Sequence, residues 1–178
     1  MTDGSVLIRK LDPHEARDGV PALTELLIAC VEGGASVSFM SPLSRERAMA
    51  FWQGVAEGVA CGARLLLVAE DRATCRIVGT VQVVLDQPEN QPHRADLAKM
   101  LVDPASRRRG VGAKLMLAAE EAALDAQKTL LVLDTVTGSD AERLYGRFGW
   151  VKVGVIPGYA LWPDGRPCAT TYHYKQLA

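Results

Sequence analysis

Several kinds of protein are excluded by what this sequence lacks. No apolar run approaches the roughly 20 residues needed to cross a bilayer. The opening stretch MTDGSVLIRKLDP starts acidic and has no apolar signal core. Neither membrane insertion nor secretion is expected, and a cytoplasmic location is. Cysteine is sparse: Cys30, Cys61, Cys75 and Cys168 form no C-x-x-C pair and no zinc-like spacing. Reduced thiols, read as small buried apolar residues, are the expectation. Histidine is sparser still: His14, His93 and His173 are scattered, and His93 reads as an ordinary strand-edge residue, so no metal site is predicted. A basic excess is also missing. Lys+Arg total 20 against 21 Asp+Glu, a formal net charge of -1, whereas dedicated nucleic-acid binders carry a positive surplus. Any anion site must be local, and no nucleic-acid partner is expected. Repeats, low-complexity tracts and linkers are absent as well, so residues 1–178 read as one domain.

What is present is a chain that is 48% hydrophobic, enough for a real core. SVLIRKL reads as a first strand. DPHEARDGVPALTELLIACVEGG reads as helix, with Asp12 as N-cap, Pro13 at the first position, an interruption at Pro21 and a stop at Gly33-Gly34. SPLSRERAMAFWQGVAEGVACG is the next helix, with Ser41 predicted to cap it and Pro42 at its first position. RLLLVAED, RIVGTVQVVLDQ and HRADLAKMLVDP read as strands. RRGVGAKLMLAAEEAALDAQK is helical, with Val111, Leu115, Ala118 and Ala122 on its apolar face. TLLVLDT is a buried strand. SDAERLYGRFG is a helix with a capping box from Ser139 to Glu142 and a stop at Gly149. WVKVGVI and TTYHYKQL close the chain as strands. The order is βααβββαβαββ, an α/β (α+β) arrangement. The fourth strand, its helix and the fifth strand form a parallel βαβ unit within a mixed, mostly antiparallel sheet.

The stretch ASRRRGVGAKL breaks two local rules. Arginines at a helix start oppose the macrodipole, at about 0.3–1 kcal/mol each. Gly110 and Gly112 in the first turns each cost about 1 kcal/mol relative to alanine. A bound anion removes the conflict, because free N–H groups and guanidinium groups would both face it. A P-loop signature is absent, and Leu115 stands where a dinucleotide fingerprint needs a third glycine.

On these residues the chain resembles the GNAT superfamily of N-acetyltransferases. VDPASRRRGVG matches its motif [RQ]-x-x-G-x-[GA] after a strand, through Arg107, Gly110 and Gly112. AERLYGRFGW resembles a second signature, A-x-x-L-Y-x-x-x-G-F, with Trp150 in place of phenylalanine; an asparagine often found seven residues before the tyrosine is Gly138 here. The outer loops GGASVSFM and PDGR further resemble the tabtoxin-resistance branch, whose enzymes acetylate a small β-lactam amino-acid toxin.

The resemblance implies a GNAT fold of about six or seven strands with helices on both faces, and acetyl-CoA as cosubstrate with no metal. It implies pyrophosphate binding by Arg107, Arg108, Arg109, Gly110, Val111, Gly112 and Ala113, with Ser139 and Tyr145 also at the cofactor. Backbone of Leu101 or Val102 supplies the oxyanion donor, in a strand that splays from its neighbour. Tyr145 is the acid for the leaving thiolate. Asp134 and Asp96 compete as general base. Phe39, Tyr159, Trp162 and Arg166 border the acceptor, Arg166 against a substrate carboxylate. The expected reaction is direct attack by a small amine in a ternary complex. A polyamine, an amino acid or a protein N-terminus as acceptor, and a non-catalytic CoA-binding domain, remain alternatives. A homodimer is a further expected state.

Overall fold

A computed structural model describes residues 5–177. Met1–Gly4 and Ala178, which the single-domain reading includes, lie outside the described residues. The elements run β1 Val6–Lys10, α1 Pro13–Asp18, α2 Val20–Glu32, α3 Arg45–Ala60, β2 Arg64–Asp71, β3 Arg76–Val84, β4 Arg94–Val102, α4 Val111–Asp125, β5 Leu130–Val136, α5 Asp140–Arg147, β6 Val151–Leu161 and β7 Pro167–Gln176. The order is βαααβββαβαββ, one helix more than expected, because the first predicted helix is two, α1 and α2, divided at Gly19 rather than at Pro21.

The seven strands form one sheet in the order β1-β2-β3-β4-β5-β7-β6. All neighbours are antiparallel except β4 and β5, the parallel pair flanking α4. Two apolar cores lie on opposite faces. Leu67 and Ala69 of β2 join Ala95, Leu97, Leu115, Ala119, Leu131, Leu133 and Tyr145 on the α4–α5 face. Leu66 and Val68 turn the other way, to Leu23, Leu27, Trp52, Val55 and Leu101 on the α1–α3 face. A strand with helices above and below needs apolar residues at every position, and the run Leu66–Ala69 provides them. On α4 the apolar stripe is centred one residue later than its spacing suggests: Ala119 is fully buried, whereas Ala118 packs at the margin.

Local chemistry explains most boundaries and corrects two. Asp12 caps α1 as expected, accepting from the backbone N–H groups of His14 and Glu15 at 2.8 Å each while Glu15 closes the box. Helix α3 begins at Arg45, not at Pro42. Ser44 is its N-cap, accepting from the Arg47 N–H at 3.3 Å. Ser41 instead donates its backbone N–H to the Pro163 carbonyl at 3.1 Å and ties the loop to the β6–β7 hairpin. The box at α5 is displaced: the Ser139 hydroxyl accepts from the Glu142 N–H at 3.1 Å, but the Glu142 carboxylate takes the N–H of Gly138 rather than that of the cap. The cysteines divide. Cys30 and Cys168 are buried, but Cys61 and Cys75 are exposed, at a helix end and in a turn where backbone geometry outweighs burial.

Candidate active site

The parallel pair opens after three registered positions. Arg94, Ala95 and Asp96 face Leu130, Leu131 and Val132, yet β4 continues to Val102 and β5 to Val136. Beyond Asp96 the two strands part. A bulge sharpens the divergence: Ala98 and Leu101 of β4 pair with Gln82 and Thr80 of β3, three steps against two, and Lys99 takes a left-handed φ of 51°. An inserted residue bends its strand and exposes main-chain groups. Between the parted strands lies a cleft of about 1590 Å³.

One end of the cleft is the start of α4. Gly110 is its N-cap, with φ 76° and no side-chain cap. The first helical N–H groups thus have no capping partner of their own. A Cβ on Gly110 would meet nothing within 4 Å, so its Hα side faces open space. Gly112 serves a different purpose, since a Cβ there would come within 3.2 Å of Leu144 and hold α4 and α5 apart. Arg107 and Arg108 line this end, with Val111, Ala113 and Ser139. Arg109 does not; its guanidinium donates to the Ser5 hydroxyl at 2.9 Å and lies 3.5 Å from Asp71. The three arginines diverge because Arg108, at φ 62°, reverses the chain between its neighbours.

Asp134, Tyr145 and Leu101 line the cleft as well, and Val102 does so beside the α4 end, where its carbonyl accepts from Arg107 Nε at 3.4 Å. Asp134 ends the apolar run of β5, and its side chain is exposed to the cleft. The surrounding protein still removes enough water to raise its carboxyl above the usual carboxylate range; Lys99 opposes the rise and Asp96 adds to it. Tyr145 is buried on α5, its ring 5.9 Å from that of Trp150 and 6.2 Å from that of His173. Burial, with Asp134 adding, pushes its phenol well above the ordinary tyrosine value. Trp150 is itself pinned. Its indole N–H donates to the buried Glu120 at 3.0 Å, and Lys175 donates to the same carboxylate at 2.7 Å. Asp96 is not in the cleft lining. It is paired with Arg94 and accepts from the Gln87 amide at 3.2 Å. Cys30 reaches the cleft, but burial pushes its thiol up to about 11, which leaves it a poor nucleophile.

The other end is walled by the loop 35–40 and by the β6–β7 hairpin. Phe39, Tyr159 and Trp162 all line it. Phe39 packs edge-on against Phe51 at 5.3 Å, and the Tyr159 and Tyr172 hydroxyls lie 2.7 Å apart. Ser36 donates to the Leu161 carbonyl at 2.7 Å, joining the loop to the hairpin. Arg166 stands apart, in a smaller pocket of about 250 Å³, with its guanidinium folded onto Asp164 at 2.7 and 2.8 Å.

Lys99 is the cleft residue that the sequence reading missed. Strict alternation would set it on one face with Ala95, Leu97 and Leu101, an apolar row in which a lysine does not belong. That mismatch was the available sign of a bulge. Among the described residues no group of three or more His, Cys, Asp or Glu is placed to hold a metal, and no helix is long and apolar enough to cross a membrane.

The sequence pattern of the acetyltransferase (GNAT) domain matches residues 62–152. Solved structures resemble the whole chain. A ribosomal-protein-alanine N-acetyltransferase of Brucella melitensis is 22% identical, with 96% of this chain and 99% of that one covered at a TM-score of 0.79. A Salmonella typhimurium protein assigned as an acetyltransferase, solved with its cofactor acetyl-CoA, is 19% identical, covering 98% and 95% at 0.78. A protein assigned as a phosphinothricin N-acetyltransferase is 19% identical, covering 98% and 99% at 0.80.

Proposed function

The chain belongs to the GNAT acetyltransferase family and is an acetyl-CoA-dependent acyltransferase; from that premise we propose that it moves the acetyl group to a small amine by direct attack in a ternary complex. The observation that carries this reading is the splay of β4 from β5, with Asp134 and Tyr145 lining the same cleft as the start of α4 and the aromatic residues.

The residues fit the cosubstrate. The uncapped start of α4, the open side of Gly110, and Arg107 with Arg108 suit a pyrophosphate. Arg109 braces the turn against Asp71 instead of facing the anion. Acetyl-CoA supplies the activated acyl group. Asp134 takes a proton from the acceptor ammonium and frees its lone pair. Its raised pKa favours the task, because an ordinary aspartate is a weak base at neutral pH. The amine nitrogen bonds to the acyl carbon as the carbon–sulfur bond breaks. Tyr145 gives its phenolic proton to the departing sulfur and is restored by the second proton, which the nitrogen loses as the amide forms, while the first passes from Asp134 to solvent. Main chain at Leu101 and Val102 offers the acyl oxygen a donor. Asp96, held by Arg94 and Gln87, contributes by its charge on Asp134.

The acceptor end favours a small molecule. Loop 35–40 is tied to the hairpin through Ser36 and Ser41, which narrows the approach for a folded protein. The similar proteins divide on this point, one being a ribosomal-protein-alanine N-acetyltransferase and one assigned to phosphinothricin. The outer loops' resemblance to the tabtoxin-resistance branch puts a β-lactam amino-acid toxin first among small acceptors, and with it a detoxifying role. The test is thiol release from acetyl-CoA across polyamines, amino acids, β-lactam antimetabolites and N-terminal peptides. Turnover of the peptides alone would sink the small-acceptor reading.

A homodimer is supported by β6. This sheet-edge strand exposes Val151, Val153, Val155, Ile156, Tyr159 and Leu161, with Val153 at 68%. A long apolar edge is unusual for an isolated monomer.

A further inference from the structure

The cleft is asymmetric in charge. At the α4 end Arg107 and Arg108 answer the phosphates. At the opposite end, among the described lining residues on loop 35–40, β4, β5 and the hairpin, the ionisable groups of opposite sign are Asp134 and Lys99. The bulge at φ 51° turns Lys99 out of the apolar row. Its ammonium donates to the Ser38 hydroxyl at 3.0 Å and sits 5.7 Å from the centre of the Phe51 ring. Of its three donors, Ser38 takes one, and no carboxylate among the described residues comes within ion-pair distance. Asp134 attracts it from beyond ion-pair distance, and Arg64 repels it. A half-buried cation with no direct ion pair and donors left over is costly. A ligand carboxylate removes that cost, and here it would arrive with every acceptor molecule.

We propose that Lys99 is a specificity-determining residue that binds the carboxylate of an amino-acid-like acceptor, whose ammonium is directed to Asp134. The proposal rests on the reading of Asp134 as the base that receives the acceptor amine. It replaces Arg166 in the carboxylate role, because that guanidinium is already paired with Asp164 through Nε and Nη2 and Arg166 opens on the separate pocket. The recognised class is a zwitterion with ammonium and carboxylate on one small skeleton. Polyamines, which present only cations to a lysine, are disfavoured by the same charge.

The experiment compares L-amino acids with their carboxamides, and with polyamines, as acceptors in thiol release from acetyl-CoA. The wild type should prefer the acid over its amide by about tenfold or more in kcat/KM. Lys99→Met, which keeps length and loses charge, should bring that ratio close to unity, and Lys99→Arg should retain most of it. An acid-to-amide ratio near unity in the wild type, or one unchanged in Lys99→Met, overturns the proposal. So does collapse of the ratio in Arg166→Met instead. Turnover of polyamines with no amino acid accepted would end the zwitterion inference and leave the acetyltransferase reading standing. No thiol release with any amine would remove both. The wild-type ratio needs no variant, so a folding defect in Lys99→Met leaves the test intact.

Discussion

Replacing Tyr145 by phenylalanine should cost activity without costing stability. The ring is held from two sides, by Trp150 at 5.9 Å and His173 at 6.2 Å, and the residue is only 4% exposed. Phenylalanine fits the same space and keeps those contacts. The hydroxyl makes no hydrogen bond among the described residues, so its removal breaks no internal bond. The hydroxyl is not among the buried atoms left without a partner, so its loss leaves the energetics of burial nearly unchanged. Thermal melting should therefore hold to within about 2–4 °C, the shift that 1 kcal/mol makes in a chain of this size. Catalysis should fall. Loss of a positioned general acid slows turnover by about 10²–10⁴-fold, or about 2.7–5.4 kcal/mol at 1.36 kcal/mol per decade. Because burial raises the tyrosine pKa above its usual value of about 10, the phenol stays protonated across the working pH range and imposes no basic limb there. The assay is thiol release under acetyl-CoA saturation beside a melting curve. A loss of less than about tenfold would refute the acid role. A large fall in melting temperature would show that Tyr145 is chiefly structural.

Three further expectations follow from the same geometry. Asp134→Asn should lower kcat/KM by about 10²–10⁴-fold. In the parent, activity should fall with decreasing pH through an acid limb above the ordinary aspartate value of about 3.9, and that limb should vanish in the variant. Since the folded-state pKa of Asp134 is raised, its ionised form disfavours folding once the pH exceeds that value, so the asparagine variant should melt no lower than the parent at neutral pH. Glu120→Gln takes the counter-charge from Lys175 beneath Trp150; a loss of about 2 kcal/mol, or about 6 °C, is expected in a thermal melt. Val153→Lys on β6 should convert a dimer to a monomer in light scattering, and an unchanged mass would exclude this edge as the interface.

The elements were legible because local signals agreed: Asp12 with Pro13, the Asp103-Pro104 break after β4, and Gly110 before α4. The turn before α4 stood out because its residues violate helix preferences together. Lateral strand order was not. The apolar VKVGVI of β6 looks like interior strand and the polar TTYHYKQ of β7 like an edge, but β7 lies inside, with Thr170, Thr171 and His173 buried, while β6 forms the rim. Surface hydrophobicity of that kind reports what covers the sheet, and a single chain does not contain its cover. The cap of α3 was misread because Ser41 and Ser44 are equally competent by type, and only the hairpin's Pro163 carbonyl distinguishes them. The divergence of Arg109 depends on Asp71, 38 positions earlier on another strand, a separation that no local pattern spans.

The opening between β4 and β5 also divides the molecule by how it can change. Its walls on the acyl side include main chain of Leu101, Val102 and Gly110, which a substitution leaves in place as long as the sheet folds. The far end is built from replaceable side chains: Phe39, Lys99, Tyr159 and Trp162. Heredity can therefore edit the customer without touching the currency. A loop exchanged at 35–40, or another residue at the bulge, would retarget the catalyst while its acyl source stayed the same, making this fold a natural chassis for engineered acceptor choice.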